Sequence, residues 1–233
     1  IGYHRRHNSI STKVKNKITK GKLGKIVSVN VMCWLYKNKN WFKEKWRIKK
    51  GGGPLGINLV HDIDLICYLL GPVEYVQALS SNKIRRHEVE DTAVGIFDLQ
   101  NGGIGTFEIT TAARPRDYEA TISIIGSKGV SKIGGLASNE LLEFSPEPRL
   151  CEKFSEKIND AYGFGHFKVY NDIYQDFINK KKYPLKKADC IKTIQLLNSL
   201  YISSEKNKKI AVEKCIDSKK LGRRNLKISK LYL

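Results

Sequence analysis

The sequence predicts an α+β fold built on a largely antiparallel sheet. Through residues 73–144 apolar residues alternate in short runs, the period of half-buried strands. Turn residues join these runs, above all Asn101-Gly102 and Gly126-Ser127-Lys128-Gly129, so neighbouring strands fold back as hairpins. Helical spacing appears before this block and again after residue 150, and strands grouped apart from helices indicate a layered α+β architecture.

The first helix opens at Asn8 and Ser9, which suit an N-cap, and carries Ile10, Val14 and Ile18 at i, i+4 and i+8 before Gly21 stops it. Residues 25–36 follow as a long strand, with Val27, Val29, Val31, Cys33 and Leu35 expected on one face. Residues 37–53 form a loop rich in Lys, Asn and Trp that closes on Gly51-Gly52-Gly53. Pro54 suits the first turn of a helix over 55–70, which Gly71-Pro72 ends. Strands are expected at 73–80, 91–99, 103–111, 118–125, 130–133 and 141–144. Phe167, Tyr170, Ile173, Tyr174 and Phe177 mark an amphipathic helix. Residues 188–206 mark another, with Ile191, Ile194, Leu197 and Tyr201 on one side, and a short strand follows at 210–212. The expected division is one domain over 1–213 and a basic, loose or accessory tail over 214–233.

Composition narrows the function classes. With 233 residues, 41% hydrophobic and 28% charged, the chain can build a sizeable core. No run of 18 apolar residues occurs, so no membrane-spanning helix is expected. The net charge of +19 raises a polyanion partner, but 32 of the 42 basic residues are Lys. A Lys-biased charge spread along the chain reads as solvated surface, because Arg is the fork suited to bidentate phosphate contact. Nucleic acid is therefore not the expected partner. Cysteines at 33, 67, 151, 190 and 215 are odd in number and form no C-x-x-C, which argues against a disulfide framework or a zinc site. Free thiols in a reducing cytoplasm are expected. The N-terminus, Ile1-Gly2-Tyr3-His4, has no initiator Met and no signal-peptide pattern, so it reads as the middle of a longer chain.

The chemistry concentrates at 51–64. No G-x-G-x-x-G follows a strand and no Walker loop is present. Three glycines before a helix permit close backbone approach, and a helix N-terminus favours an anion. Asn58 and His61 stand three apart on one helix face, and Asp64, three further on, is the expected partner of His61. A histidine so placed serves either as an acid–base group or as a hydrogen-bonded core residue. Glu90 and Asp91 are adjacent on a strand and point to opposite faces, so they are not an acid–base dyad. Lys83, Arg85 and Arg86 read mainly as a solvated loop.

These motifs resemble the C-terminal domain of the glucose–fructose oxidoreductase / inositol dehydrogenase (Gfo/Idh/MocA) family. The likeness rests on Gly51-Gly52-Gly53, His61-x-x-Asp64 and Leu70-Gly71-Pro72-Val73. Matching segments keep the family order: Arg5-Arg6-His7-Asn8, Gly21-Lys22-Leu23-Gly24-Lys25-Ile26, Trp46-Arg47, Glu88-Val89-Glu90-Asp91, Asn101-Gly102-Gly103 and Ile125-Gly126-Ser127-Lys128-Gly129. Tyr162-Gly163-Phe164-Gly165-His166 is similar to a motif of family dehydrogenases acting on UDP-N-acetylhexosaminuronates. The resemblance covers about residues 1–213.

The resemblance implies a large open sheet with helices on one face and an NAD- or NADP-dependent dehydrogenase of sugars, cyclitols or sugar nucleotides. It implies that His61 takes the proton of the substrate hydroxyl and that Asn58 orients substrate or imidazole. Arg47, Tyr162 and His166 become candidates to hold hydroxyls or a phosphate. Arg114 lines the cleft or lies in a solvated turn, and Arg6 approaches the cofactor or makes an interdomain ion pair. Two departures stand beside this. The family's Rossmann half, with its Gly-rich fingerprint and Glu-Lys-Pro motif, has no counterpart in these residues. The position four before the histidine, often Asp in the family, is Ile57. The expectation is a substrate-binding half that is inactive alone, joins a separate Rossmann half and oligomerises through its sheet. A non-catalytic sugar-binding or oligomerisation module is the alternative.

Overall fold

The computed structural model describes residues 2–135, 137–158, 162–212 and 218–221. Its elements run α1 (Ser9–Thr19), β1 (Ile26–Trp34), α2 (Val60–Leu70), β2 (Val73–Ser81), β3 (Thr92–Leu99), β4 (Ile104–Thr110), β5 (Glu119–Gly126), β6 (Gly129–Gly134), β7 (Glu140–Phe144), α3 (Leu150–Phe154), α4 (Gly165–Asn179), α5 (Lys187–Lys206) and β8 (Ile210–Ala211). One eight-stranded sheet has the order β7-β6-β5-β1-β4-β3-β2-β8. All of its pairs are antiparallel except β1 with β4. A parallel pair needs a long crossover, and the chain supplies one by building α2, β2 and β3 between these two strands. The expected α+β fold with an open, mostly antiparallel sheet is the fold observed.

Alternation decides which sheet face is covered. Val29, Val31, Phe97, Phe107, Ile122 and Ile124 point to the helical layer and are buried. The helices answer with Leu65, Ile66 and Leu69 of α2 and Leu196, Leu197 and Leu200 of α5. Each such side chain contributes about 1.5–3 kcal/mol relative to exposure. The opposite sheet face leaves Leu79, Val94, Ile96, Ile104 and Ile125 exposed.

Three expectations change. Val27 is exposed, because a bulge between Ile26 and Ser28 breaks the alternation that would have buried it. The apolar face of α4 does not reach the core: Phe167, Tyr170, Ile173, Tyr174 and Phe177 are all exposed. Instead α4 rests on the chain's first turn through the side opposite, with Val169 and Gly165 buried. On α5, Leu197 and Tyr201 are buried but Ile191 and Ile194 are half-exposed, since the apolar positions spread wider than the stripe the sheet covers.

Of the segment after residue 213, the described residues 218–221 are anchored to the body. The Ser218 N–H donates to Asn198 Oδ1 at 2.8 Å and the Gly51 N–H donates to the Lys220 carbonyl at 2.8 Å. Cys33, Cys67, Cys151 and Cys190 are free thiols, two of them buried, and Cys215 lies outside the described residues. Among the described residues no helix is long and apolar enough to cross a membrane.

Candidate active site

The predicted helix over 55–70 opens on a widened turn. Leu55–Leu59 is π-helical, with the Val60 N–H reaching back five residues to the Leu55 carbonyl. Such turns recur at functional sites because they redirect side chains without breaking the helix. Here the turn brings Ile57, Asn58 and His61 to the wall of one cavity.

The glycines ahead of this helix do favour an anion, but the anion is the chain's own. Glu90 Oε1 accepts hydrogen bonds from the Leu55 N–H at 3.1 Å and the Tyr201 hydroxyl at 2.9 Å. Gly53 is required by this approach: a Cβ there would lie 2.6 Å from the Glu90 carboxyl carbon. The helix N-terminus is therefore closed to a ligand phosphate. Glu90 and Asp91 are indeed not a dyad, since Asp91 turns away to accept from the Ile84 and Arg85 N–H groups.

The cavity encloses about 620 Å³, within the usual range for a small-ligand site. Its walls come from the first turn (His4, Arg5), the end of β1, the 37–47 strap, the π-turn, the start of β5, and Tyr162. The strap supplies Lys37 and Arg47. Arg47 donates to the Trp41 carbonyl at 2.8 Å and lies 4.6 Å over the Trp41 ring and 5.3 Å from the Trp46 ring. That stack holds the guanidinium at the cavity wall.

In the cavity lining, His61 Nδ1 and Asn58 Oδ1 are buried and have no hydrogen-bond partner among the described residues. Buried polar atoms without partners are rare in folded proteins, and two of them side by side in a cavity lining single out this place. Burial, and then the positive charge of Arg5 and the neighbouring His166, lower the His61 pKa to about 4. The ring is neutral at neutral pH and able to take a proton.

The spacing predicts Asp64 as the partner of His61; the structure gives Asp64 to Arg6. The guanidinium forks onto the carboxylate, Nε to Oδ2 at 2.6 Å and NH2 to Oδ1 at 2.5 Å, and Thr193 Oγ1 adds a third bond at 2.8 Å. A fully buried carboxylate takes the partner that offers two matched donors. The same pairing keeps Arg6 off the cavity, where its neighbour Arg5 stands instead, bound to the buried Asp62.

Of the residues singled out by sequence, Asn58, His61, Arg47 and Tyr162 line the cavity together. His166 is exposed and joins them at one remove, stacked on His4 and 5.6 Å from the Tyr162 ring. Arg114 is not brought to the cavity: it is exposed, donates to the Ala113 carbonyl and covers the Tyr36 ring. Arg85 is held by the Lys37 carbonyl and the Phe42 ring. Sequence reasoning missed His4, Arg5 and Lys37 as cavity residues. Arg5 and His4 sit in the His4-Arg5-Arg6-His7 run ahead of α1, a cluster of basic residue types that does not say which cavity it meets.

A buried and a partly buried neutral imidazole, His4 and His61, make stability depend on pH. Burial, with His61 and Arg5 next, lowers the His4 pKa to about 3. Both rings lie below the ordinary 6.5, so the folded chain binds fewer protons than the unfolded one. Their contribution is complete above pH 6.5 and is lost as pH falls toward the folded values. By pH 5 the loss is on the order of 2 kcal/mol per ring. Urea unfolding at pH 7.5 and 5.0 is expected to show it, and His4→Phe to remove about half of the histidine share.

Comparison with known proteins agrees with this fold. Residues 11–132 match the model of the GFO/IDH/MocA C-terminal domain. No curated protein sequence matches significantly. Among solved structures, the WlbA dehydrogenase of Bordetella pertussis, in complex with NADH and UDP-GlcNAcA, superposes with a TM-score of 0.80 at 26% identity, over 90% of this chain and 63% of that one. The WlbA dehydrogenase of Chromobacterium violaceum, in the same complex, gives 0.80 at 25%, over 90% and 61%. A levoglucosan dehydrogenase in complex with NADH and levoglucosan shares the fold, with a TM-score of 0.77 at 20%, over 91% and 66%. The chain thus spans less than two thirds of the length of each of these structures. With more than half of its length matched by the family model, the chain belongs to the GFO/IDH/MocA C-terminal domain family.

Proposed function

We propose that this chain is the substrate-binding half of a nicotinamide-dependent dehydrogenase acting on a sugar, cyclitol or sugar nucleotide. The observation that carries the reading is His61 and Asn58 side by side in the lining of one cavity, the imidazole neutral at neutral pH. A substrate hydroxyl seated beside them is held by Asn58 and gives its proton to His61. Nicotinamide, when bound, supplies the hydride acceptor. The described residues suit the substrate end of that encounter and not the dinucleotide's diphosphate, because the glycine-flanked helix N-terminus is already filled by Glu90. A further body must hold the diphosphate. The uncovered aromatic face of α4, which packs on the turn carrying His4 and Arg5, supports the docking of such a dinucleotide-binding domain beside the cavity. The division into a 1–213 domain and a 214–233 tail belongs to the same proposal, as does NAD or NADP as the cofactor.

Among substrates we favour an anionic sugar nucleotide. Lys37 and the stacked Arg47 face the cavity; of its three carboxylates, Asp117 accepts from the Tyr36 N–H, Glu119 is held by Thr121 and Lys132, and Glu140 stands at the rim. The WlbA structures, to which the chain is similar at 25–26% identity, hold UDP-GlcNAcA. Calorimetry is expected to show UDP-GlcNAcA binding to the chain, and Arg47→Ala to weaken it about 10-fold, the loss of one charge-assisted contact. The 233 residues alone are expected to show no turnover in an NAD(P)H absorbance assay, and a cognate dinucleotide-binding domain to restore it. Turnover by the chain alone, or none with any sugar after reconstitution, defeats the reading. A second reading, a non-catalytic sugar-binding or oligomerisation module, is favoured by the apolar outer sheet face with Leu79, Val94, Ile96 and Ile104 exposed. A homo-oligomer through that face fits both readings; light scattering tests the assembly, and only the turnover assay separates them.

A further inference from the structure

We propose that His4 is the positioning residue of His61: its buried ring, held between the His61 and His166 rings, fixes the imidazole that meets the substrate hydroxyl. The inference rests on the dehydrogenase reading above. A histidine base is ordinarily oriented through its second ring nitrogen by a carboxylate or a carbonyl. That device is missing here. Among the described residues His61 Nδ1 is buried without a partner, Asp64 is taken by Arg6 and Thr193, and Asp62 is taken by Arg5.

The ring that meets His61 is His4, edge to face, with centroids 4.8 Å apart and planes at 64°. His4 also stacks on His166 at 4.3 Å and 16°. Aromatic pairs prefer these two arrangements, so each ring restricts its neighbour. His4 is itself immobilised. It is 7% exposed, and the first turn of α4 presses on it from above. A Cβ on Gly165 would lie 2.9 Å from His4 Cδ2 and 3.0 Å from the His4 carbonyl oxygen, so only glycine permits this approach. The Gly165-His166 pair therefore has a structural reading: glycine lets α4 reach His4, and the histidine after it covers the ring.

The groups facing His4 are Arg5 and His7 from its own turn, His61 from α2 and His166 from α4, all cationic or able to become so. Together with burial they keep the His4 ring uncharged. A neutral ring can pack on His61 without opposing the proton that His61 accepts. His4 acts through His61, and its role is one of placement.

Two substitutions test this. His4→Ala removes the ring, and His4→Phe keeps a ring without titratable nitrogens. The first measurement is made on the chain itself, by NMR titration of the His61 imidazole, which is about 4 in the intact site. In His4→Ala it is expected to rise by at least about one unit as water reaches the freed ring, and in His4→Phe to stay low. The second is made on the enzyme reconstituted with a dinucleotide-binding domain. His4→Ala is expected to lower kcat roughly 10- to 100-fold with little change in KM, the effect of a misplaced group, and His4→Phe to recover most of it. If His4→Ala does not fold, His4→Leu, which fills the space without a ring, replaces it. An unmoved His61 titration in the folded ringless variant overturns the proposal, as does a His4→Phe enzyme no better than the ringless one. If no reconstituted enzyme turns over, the dehydrogenase reading fails, and the titration still decides whether His4 holds His61.

Discussion

His61→Ala in the reconstituted dehydrogenase is expected to lower kcat by roughly 10²- to 10⁴-fold, the usual range for losing general acid–base help. KM should change little, because Asn58, Arg47 and the cavity walls, which the proposal gives the task of holding the substrate, remain. The size of the effect follows from the lack of a substitute. Asn58 cannot accept a proton, Arg5 is bound to Asp62, and His4 lies lower in the pKa scale than His61 and behind it. The pH profile gives a second readout. In the oxidative direction kcat/KM should fall on the acid side as His61 becomes protonated, with the free-enzyme limb near about 4. That limb should vanish in His61→Ala. Asn58→Ala, by contrast, should act mainly on KM and keep the limb. An undiminished kcat in His61→Ala would remove the catalytic assignment while leaving the fold and the cavity as described.

The elements of this fold are legible in the sequence wherever burial is regular. β1, β3 and β4 alternate because one sheet face meets helices, and α2 and α5 are apolar on the side that meets the sheet. The departures have local causes. Val27 alternates correctly but falls at a bulge. The aromatic face of α4 obeys helical spacing, yet no described element covers it, and periodicity reports an apolar face without saying what lies against it. Strand order was not legible, since the parallel β1–β4 pair depends on a crossover of more than sixty residues of sequence.

The site divides in the same way. His61 and Asn58 were legible because both lie on one short motif whose spacing sets their common face. Their surroundings were not. The anion drawn by Gly51–Gly53 comes from Glu90, whose route to the helix N-terminus runs through β2 and its following loop. His4 meets His61 only after the first turn, α2 and α4 have packed together. Spacing on one helix also favoured Asp64 for His61, but a long-range guanidinium with two donors outcompetes an imidazole with one.

Arg6→Met is expected to destabilise the chain by about 3–5 kcal/mol, the cost of leaving a buried carboxylate without its cation. Asp64 is fully buried and Arg6 nearly so, and water cannot compensate the loss. Thr193 Oγ1 alone would remain on the carboxylate. For a domain of this size the melting temperature should fall by on the order of 10 °C. The pair joins the turn 4–7 to α2 and α5, so its loss also loosens the segment that carries His4 and Arg5 toward the cavity. The double substitution Arg6→Met with Asp64→Leu should recover most of the stability, since replacing both charges with apolar groups of similar size is often close to neutral. A double-mutant cycle by urea unfolding measures this coupling directly. Of the two roles the sequence leaves open for Arg6, an approach to the cofactor or an interdomain ion pair, the first predicts the opposite pattern: an unchanged unfolding midpoint, a raised cofactor KM after reconstitution, and no coupling to Asp64. A coupling free energy near zero would show that the bidentate bond is not what keeps Arg6 in the interior.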